Sequence, residues 1–134
     1  MPHLRIRDVA VFLGTSEDTV RRLIESGSLA ATNDDSGRKV ISGYQVALYA
    51  REHAATMPDP SGVASSARNR FVGLVTNLQL DTVMAQVELQ CGPYRVVSLM
   101  SSEAVRDLGL ELGSVAVAVI KSTNVIVETS GATE

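Results

Sequence analysis

The sequence contains no tryptophan, and aromatic residues make up only 4% of its 134 positions. Because 45% of the residues are hydrophobic, the core must be built from Val, Leu, Ile and Ala, whose side chains suit short strands and compact helices. Cys91 is the only cysteine, which excludes an intramolecular disulfide and a cysteine-based zinc pattern. No apolar run approaches the roughly 20 residues of a membrane span, and Met1–Arg5 lacks the apolar stretch of a signal peptide. These absences predict a cytoplasmic protein that makes no membrane contact.

A strong positive charge is also missing, since the net charge is −3. Residues 1–57 carry seven basic and seven acidic side chains, and the remainder carries five basic and eight acidic ones. A nucleic-acid-binding surface in the first half would therefore be a local patch, without a global field to attract DNA.

The first part of the sequence has the pattern of two short helices joined by a turn. Apolar residues fall at helical spacing at positions 6, 9, 10 and 13, and Gly14 ends this first helix. A capping-box pattern from Thr15 to Asp18 opens a second helix that closes at Gly27. A hairpin with a polar tip is expected within 29–41, and a third helix from Gly43 to about His53. The pattern predicts a helix-turn-helix with a wing.

In a helix-turn-helix the exposed residues near the start of the second helix meet base edges in the major groove. The candidate DNA-binding residues are therefore Ser16, Glu17, Thr19, Arg21 and Arg22, joined by Arg38 and Lys39 at the hairpin tip. Residues 4–53 resemble the winged helix-turn-helix of the excisionase and MerR-type families, through the runs LRIRDVA, LGTS and TVRRLIESGSL. The wing departs from a strong phosphate-binding wing because it contains Asp34 and Asp35. The alternative is a small helical interaction module with solvated arginines.

After the third predicted helix, the sequence contains a linker and then changes from helical hydrophobic periodicity to the alternation typical of strands. Residues 56–66 contain two prolines, a glycine and three serines, and residues 83–90 then alternate between apolar and polar. Extended segments at 94–100, 115–120 and 125–127, with a short helix at about 102–108, indicate a small OB-like barrel. The prediction is an α+β protein: a winged helix-turn-helix DNA-binding domain at 1–55, a linker at 56–64, and a five-stranded OB-like β-barrel domain at 65–130.

Two short runs in the second half offer the donors that an oxyanion needs. Ser66-Ala67-Arg68-Asn69-Arg70 and Ile120-Lys121-Ser122-Thr123 supply cations, hydroxyls and backbone amides with few carboxylates nearby in sequence. Charge-assisted hydrogen bonds from Arg and Lys offset the cost of desolvating a dianion. The residues alone leave phosphate, sulfate and molybdate open.

Residues 65–129 resemble a molbindin (Mop/TOBE) domain, through Ser66–Asn69, the run LGLELG at 108–113, and AVIKSTNV at 118–125. The resemblance implies that molybdate or tungstate binds between subunits. Ser66, the Ala67 amide and Arg68 of one chain would meet Lys121 and Ser122 of another, and Ser101 matches a hydroxyl position at the foot of the short helix. Ala104 stands where many relatives have a second serine.

The combination resembles bacterial molybdate-responsive transcription regulators. It implies binding of promoter DNA and of molybdate or tungstate, and a homo-oligomer formed through the molbindin domains. The alternatives are a molybdate storage or buffering protein whose N-terminal domain only mediates assembly, and a DNA-binding protein whose barrel binds no ligand. No nucleophile–base pair, paired acid set or glycine-rich phosphate loop is present, so we expect neither an enzyme nor a metal-ion or organic cofactor.

Overall fold

A computed structural model of the chain describes residues 2–55 and 57–130. It divides into two compact units, residues 1–56 and 57–134, each with a separate hydrophobic core. No helix in the described part of the chain is long and apolar enough to cross a membrane.

The N-terminal unit packs three helices against a small antiparallel sheet. Its strands are β1 (His3–Arg5), β2 (Ala31–Asn33) and β3 (Lys39–Ser42), and its helices are α1 (Ile6–Leu13), α2 (Glu17–Glu25) and α3 (Gly43–Glu52). The strand order is β1-β3-β2. Val9, Val20 and Ile41 are fully buried at the centre of the core, which joins α1, α2 and the sheet.

The turn between α1 and α2 differs by one residue from the predicted capping box. Gly14 adopts a φ of 66°, and the amides of Gly14 and Thr15 donate to the carbonyls of Val11 and Ala10. Thr15 therefore completes the end of α1 and is not the cap of α2. Ser16 is the cap instead, and its Oγ accepts a hydrogen bond of 3.1 Å from the Thr19 amide.

The C-terminal unit is one antiparallel sheet with a short helix. Its elements are β4 (Asn69–Leu80), β5 (Met84–Cys91), β6 (Tyr94–Ser101), α4 (Ser102–Leu108), β7 (Val115–Ile120) and a 3-10 turn (Ser122–Asn124). The strand order is β6-β5-β4-β7. The predicted alternation over 83–90 is confirmed for Ala85, Val87 and Leu89, which face the core together with Cys91. It is wrong for Val83, which precedes β5 and is exposed.

Helices and antiparallel sheets together give the α+β class that the sequence predicts. The predicted fifth strand of the barrel is wrong for the described chain, because Val125–Val127 pairs with no other described strand. The 3-10 turn at 122–124 interrupts the chain after Ile120, the last residue of β7 paired with β4. The segment is left with its side chains exposed, Ile126 by 85% and Val127 by 88%.

Candidate oxyanion site and DNA interface

Two cations lie at the same end of the β4–β7 strand pair. Asn69 pairs with Ile120, and the Asn69 side-chain amide also donates to the Ile120 carbonyl at 3.1 Å. Arg68 directly precedes Asn69 and Lys121 directly follows Ile120, so the antiparallel register brings their backbones together within one chain. Both side chains are exposed, and no ion pair involves either of them among residues 2–55 and 57–130.

The neutral donors of the two runs lie beside these cations. Ser66 and Ser122 are exposed, and Ser122 opens the 3-10 turn that follows Lys121. The sequence suggested a free backbone amide at Ala67, but this N–H donates to the Ser65 Oγ at 3.1 Å. An oxyanion that used the Ala67 amide would therefore have to replace a local contact between residues two apart in sequence.

Ser101 lies at the other end of the sheet. It is the last residue of β6 and pairs with Met84 at the start of β5. The next residue, Ser102, donates a hydrogen bond to the carbonyl of Asp81, which lies just beyond the end of β4. The Ser101 Oγ caps α4 by accepting from the Ala104 amide at 3.0 Å, which leaves its hydroxyl proton for another acceptor. The sequence led us to expect Arg68 and Lys121 to meet from different chains, but the Asn69–Ile120 pair brings their backbones together within one chain. The same chain does not bring Ser101 to them.

Arg70 holds the linker beside this site through a contact that the sequence did not indicate. The Arg70 guanidinium donates from Nε to the Asp59 carboxylate at 2.8 Å and from Nη2 to the Ser61 Oγ at 2.9 Å. Asp59 also accepts from the Ser61 hydroxyl at 2.7 Å and from the Ser61 amide at 2.9 Å. The hydrogen bonds from Ser61, followed by the one from Arg70, lower the Asp59 pKa to about 2. We call Asp59, Ser61 and Arg70 the linker clamp.

The candidate DNA-binding residues of the first helix pair lie on and just before α2. Ser16 and Thr19 hydrogen-bond to each other through their hydroxyls at 3.0 Å, so both help to shape the start of the helix. Arg21 is 52% exposed and lies 3.7 Å from Glu17 and 3.4 Å from Asp18. Arg22 is exposed, and no ion pair involves it in the described ranges. Arg22 is thus the α2 arginine whose charge is not partly offset by a carboxylate of the same helix.

The predicted wing is the turn between β2 and β3. Arg38 and Lys39 are exposed there. The Asp34 carboxylate accepts the amides of Arg38 and Ser36, both at 2.9 Å, and the first of these contacts contributes most to lowering the Asp34 pKa. One of the two wing carboxylates is therefore used to shape the turn, but its negative charge still acts on Arg38.

Residues 65–127 match the TOBE domain family model. Over 63 residues the chain is 38% identical to molybdenum-pterin-binding protein 1 of Clostridium pasteurianum, which corresponds to 46% of this chain and 93% of that protein. This chain belongs to the TOBE-domain family.

Residues 4–54 match a helix-turn-helix domain model, so the TOBE domain is joined to a helix-turn-helix domain. The chain is also 36% identical over 66 residues to the molybdenum transport protein ModE of Herbaspirillum seropedicae, which covers 48% of this chain and 24% of ModE. Among solved structures, the cytoplasmic molybdate-binding protein ModG is 42% identical, with a TM-score of 0.47 over 52% of this chain and 50% of ModG.

Proposed function

We propose that this protein is an oxyanion-responsive transcription regulator, which binds molybdate or tungstate through its TOBE domain and promoter DNA through its helix-turn-helix. The observation that carries the proposal is the position of Arg68 and Lys121, which flank the Asn69–Ile120 pair at one end of β4 and β7, in a chain that also contains a helix-turn-helix domain. The names of the TOBE relatives, molybdenum-pterin-binding protein and ModE, support molybdenum oxyanions over phosphate and sulfate.

One chain supplies two cations and three neutral donors to the proposed ligand shell. Arg68 and Lys121 balance the two charges of the anion, and the hydroxyls of Ser66 and Ser122 with the Ala67 amide complete the shell. Because no carboxylate pairs with Arg68 or Lys121 in the described chain, an anion can bind both without displacing a partner from them.

The proposed site is completed by a second subunit. Ser101 lies at the end of the sheet remote from Arg68 and Lys121, so a shell that includes Ser101 needs a Ser101 from another chain. The TOBE unit also exposes large apolar side chains, including Leu99 by 70% and Leu112 by 66%, which is typical of surfaces covered on assembly. A site shared in this way makes ligand stabilise the oligomer.

Calorimetric titration of the full chain with molybdate, tungstate, sulfate and phosphate tests the ligand. We expect molybdate and tungstate to bind, and Arg68→Ala or Lys121→Ala to weaken molybdate binding by about 2–5 kcal/mol, because either change leaves a charge of the bound anion unpaired. Arg106→Ala, a cation in the last turn of α4, is the control with the same loss of charge. Molybdate affinity unchanged in both site variants would refute the site.

Fluorescence anisotropy of a labelled promoter fragment, with and without molybdate, tests the regulator role. A second candidate, molybdate storage, is favoured by Glu17 and Asp18 beside Arg21, since these carboxylates weaken the attraction of α2 for phosphate. The regulator requires DNA binding that changes when molybdate is added. Tight molybdate binding with no DNA binding at low salt would favour storage.

A further inference from the structure

Arg70 lies close to Arg68 along the chain, since only Asn69 separates them and two residues span at most about 7 Å of backbone. Arg68 immediately precedes β4 and Arg70 is its second residue. On β7, Val119 pairs with Arg70, and Lys121 lies two residues further on. Three cations thus lie around one strand end, but only Arg70 is already neutralised.

The group that neutralises Arg70 comes from the linker. The Arg70 side chain is 23% exposed, and its Nη2 lies 2.7 Å from the Asp59 carboxylate. Asp59 and Ser61 hold each other through two hydrogen bonds, and the Val63 amide donates to the Ser61 Oγ at 3.4 Å. The linker clamp therefore places the Asp59 carboxylate beside the site that is proposed to bind a dianion.

We propose that Arg70 is a further oxyanion-binding residue, for which the Asp59 carboxylate competes with the bound anion. The inference rests on the proposed function. A dianion at Arg68 and Lys121 attracts the Arg70 guanidinium and repels the Asp59 carboxylate, so anion binding and clamp closure oppose each other. Anion binding then releases the linker from β4 and lengthens the free tether that leads to the helix-turn-helix.

The test combines titration with hydrogen exchange on the full chain. In the wild type, saturating molybdate should accelerate exchange of the Ser61 and Val63 amides by about threefold or more, because the clamp opens. Asp59→Asn keeps the shape of the side chain and removes its charge. It should exchange fast with or without molybdate and bind molybdate roughly two- to fivefold more tightly, the range expected for loss of a competing exposed ion pair.

Two further variants separate competition from general charge effects. Asp107→Asn removes an exposed carboxylate of α4 and should leave molybdate affinity and linker exchange at their wild-type values. Arg70→Ala also opens the clamp, but it should bind molybdate more weakly than the wild type because it removes a ligand. Binding by Arg70→Ala as tight as that of Asp59→Asn would overturn the role of Arg70.

The outcomes also separate this inference from the function on which it rests. Wild-type binding of molybdate, with no affinity change in Asp59→Asn and linker exchange unchanged or slowed by the ligand, would overturn the competition and leave the proposed function standing. No binding of molybdate by the wild type would overturn both.

Discussion

Gly73 is a residue whose small size is required by its neighbours and not by its backbone conformation. A Cβ at this position would lie 2.6 Å from both the Cys91 sulfur and the Gln90 carbonyl oxygen. Gly73→Ala should therefore destabilise the TOBE unit by about 1–3 kcal/mol, measured by urea unfolding. Gly43→Ala is the control, since its nearest neighbour would be at 3.4 Å. Equal stability of the two variants would contradict the crowding at β4.

Asp59 gives the linker clamp a defined pH dependence. Its pKa is lowered from 3.8 to about 2 in the folded chain, so the carboxylate stabilises the folded state above the unfolded pKa. That contribution is lost as the pH falls from about 4 to about 2. The difference in unfolding free energy between wild type and Asp59→Asn should shrink over this window when measured by urea unfolding. A difference that stays constant from pH 6 to pH 2 would show that the carboxylate charge stabilises nothing.

At the scale of single elements, α2 carries the two arginines proposed to contact DNA, and it also carries the carboxylates that lie beside Arg21. Asp18→Asn removes one partner of Arg21 and one negative charge, so we expect promoter binding to tighten by several-fold at low salt. Glu25→Gln changes the same charge at the last residue of the same helix. Anisotropy titrations that show equal gains in both variants would assign the effect to net charge instead of to Arg21.

The helices and strands also show which elements can be predicted from local sequence patterns and which cannot. The helices α1, α2, α3 and α4 and the strand β5 follow from local periodicity and caps, and all were predicted. β1 was not predicted, because His3–Arg5 becomes a strand only by pairing with β3, about 37 residues later in sequence. The failed fifth strand has the same cause. Val125–Val127 has the β-branched composition of a strand, but composition cannot supply a neighbouring edge.

For the candidate site, sequence patterns identified Arg68 and Lys121 as candidates but did not indicate the contact between Asp59 and Arg70. Arg68 and Lys121 could be picked out because their motifs are local. The linker clamp could not, since Asp59 and Arg70 are eleven residues apart and the chain between them has no periodic structure. The arginine at position 70, two residues after Arg68, was the available signal.

On the scale of the whole molecule, the chain joins a helix-turn-helix unit without strong charge to a TOBE unit with an exposed apolar surface. Tyr94 is exposed by 68% and Leu99 by 70%, both on β6 at the edge of the sheet. Such a surface favours assembly through the TOBE units. In the proposed regulator, assembly would bring several weakly binding helix-turn-helix units to one operator. Affinity for DNA would then depend on the oligomer more than on any single arginine.

Fragments of the chain test separately how much the oligomer and the single helix-turn-helix unit contribute to DNA affinity. We expect residues 57–134 to form an oligomer and to bind molybdate, and residues 1–56 to be monomeric and to bind promoter DNA weakly, by sedimentation velocity and anisotropy. The full chain should bind DNA at least about tenfold more tightly than the isolated head, because the second head binds at high effective concentration. A fragment of residues 65–134 lacks Asp59 and should bind molybdate more tightly than 57–134. A full chain that binds DNA no better than its head, while 57–134 assembles, would mean that the assembled heads cannot reach one operator together.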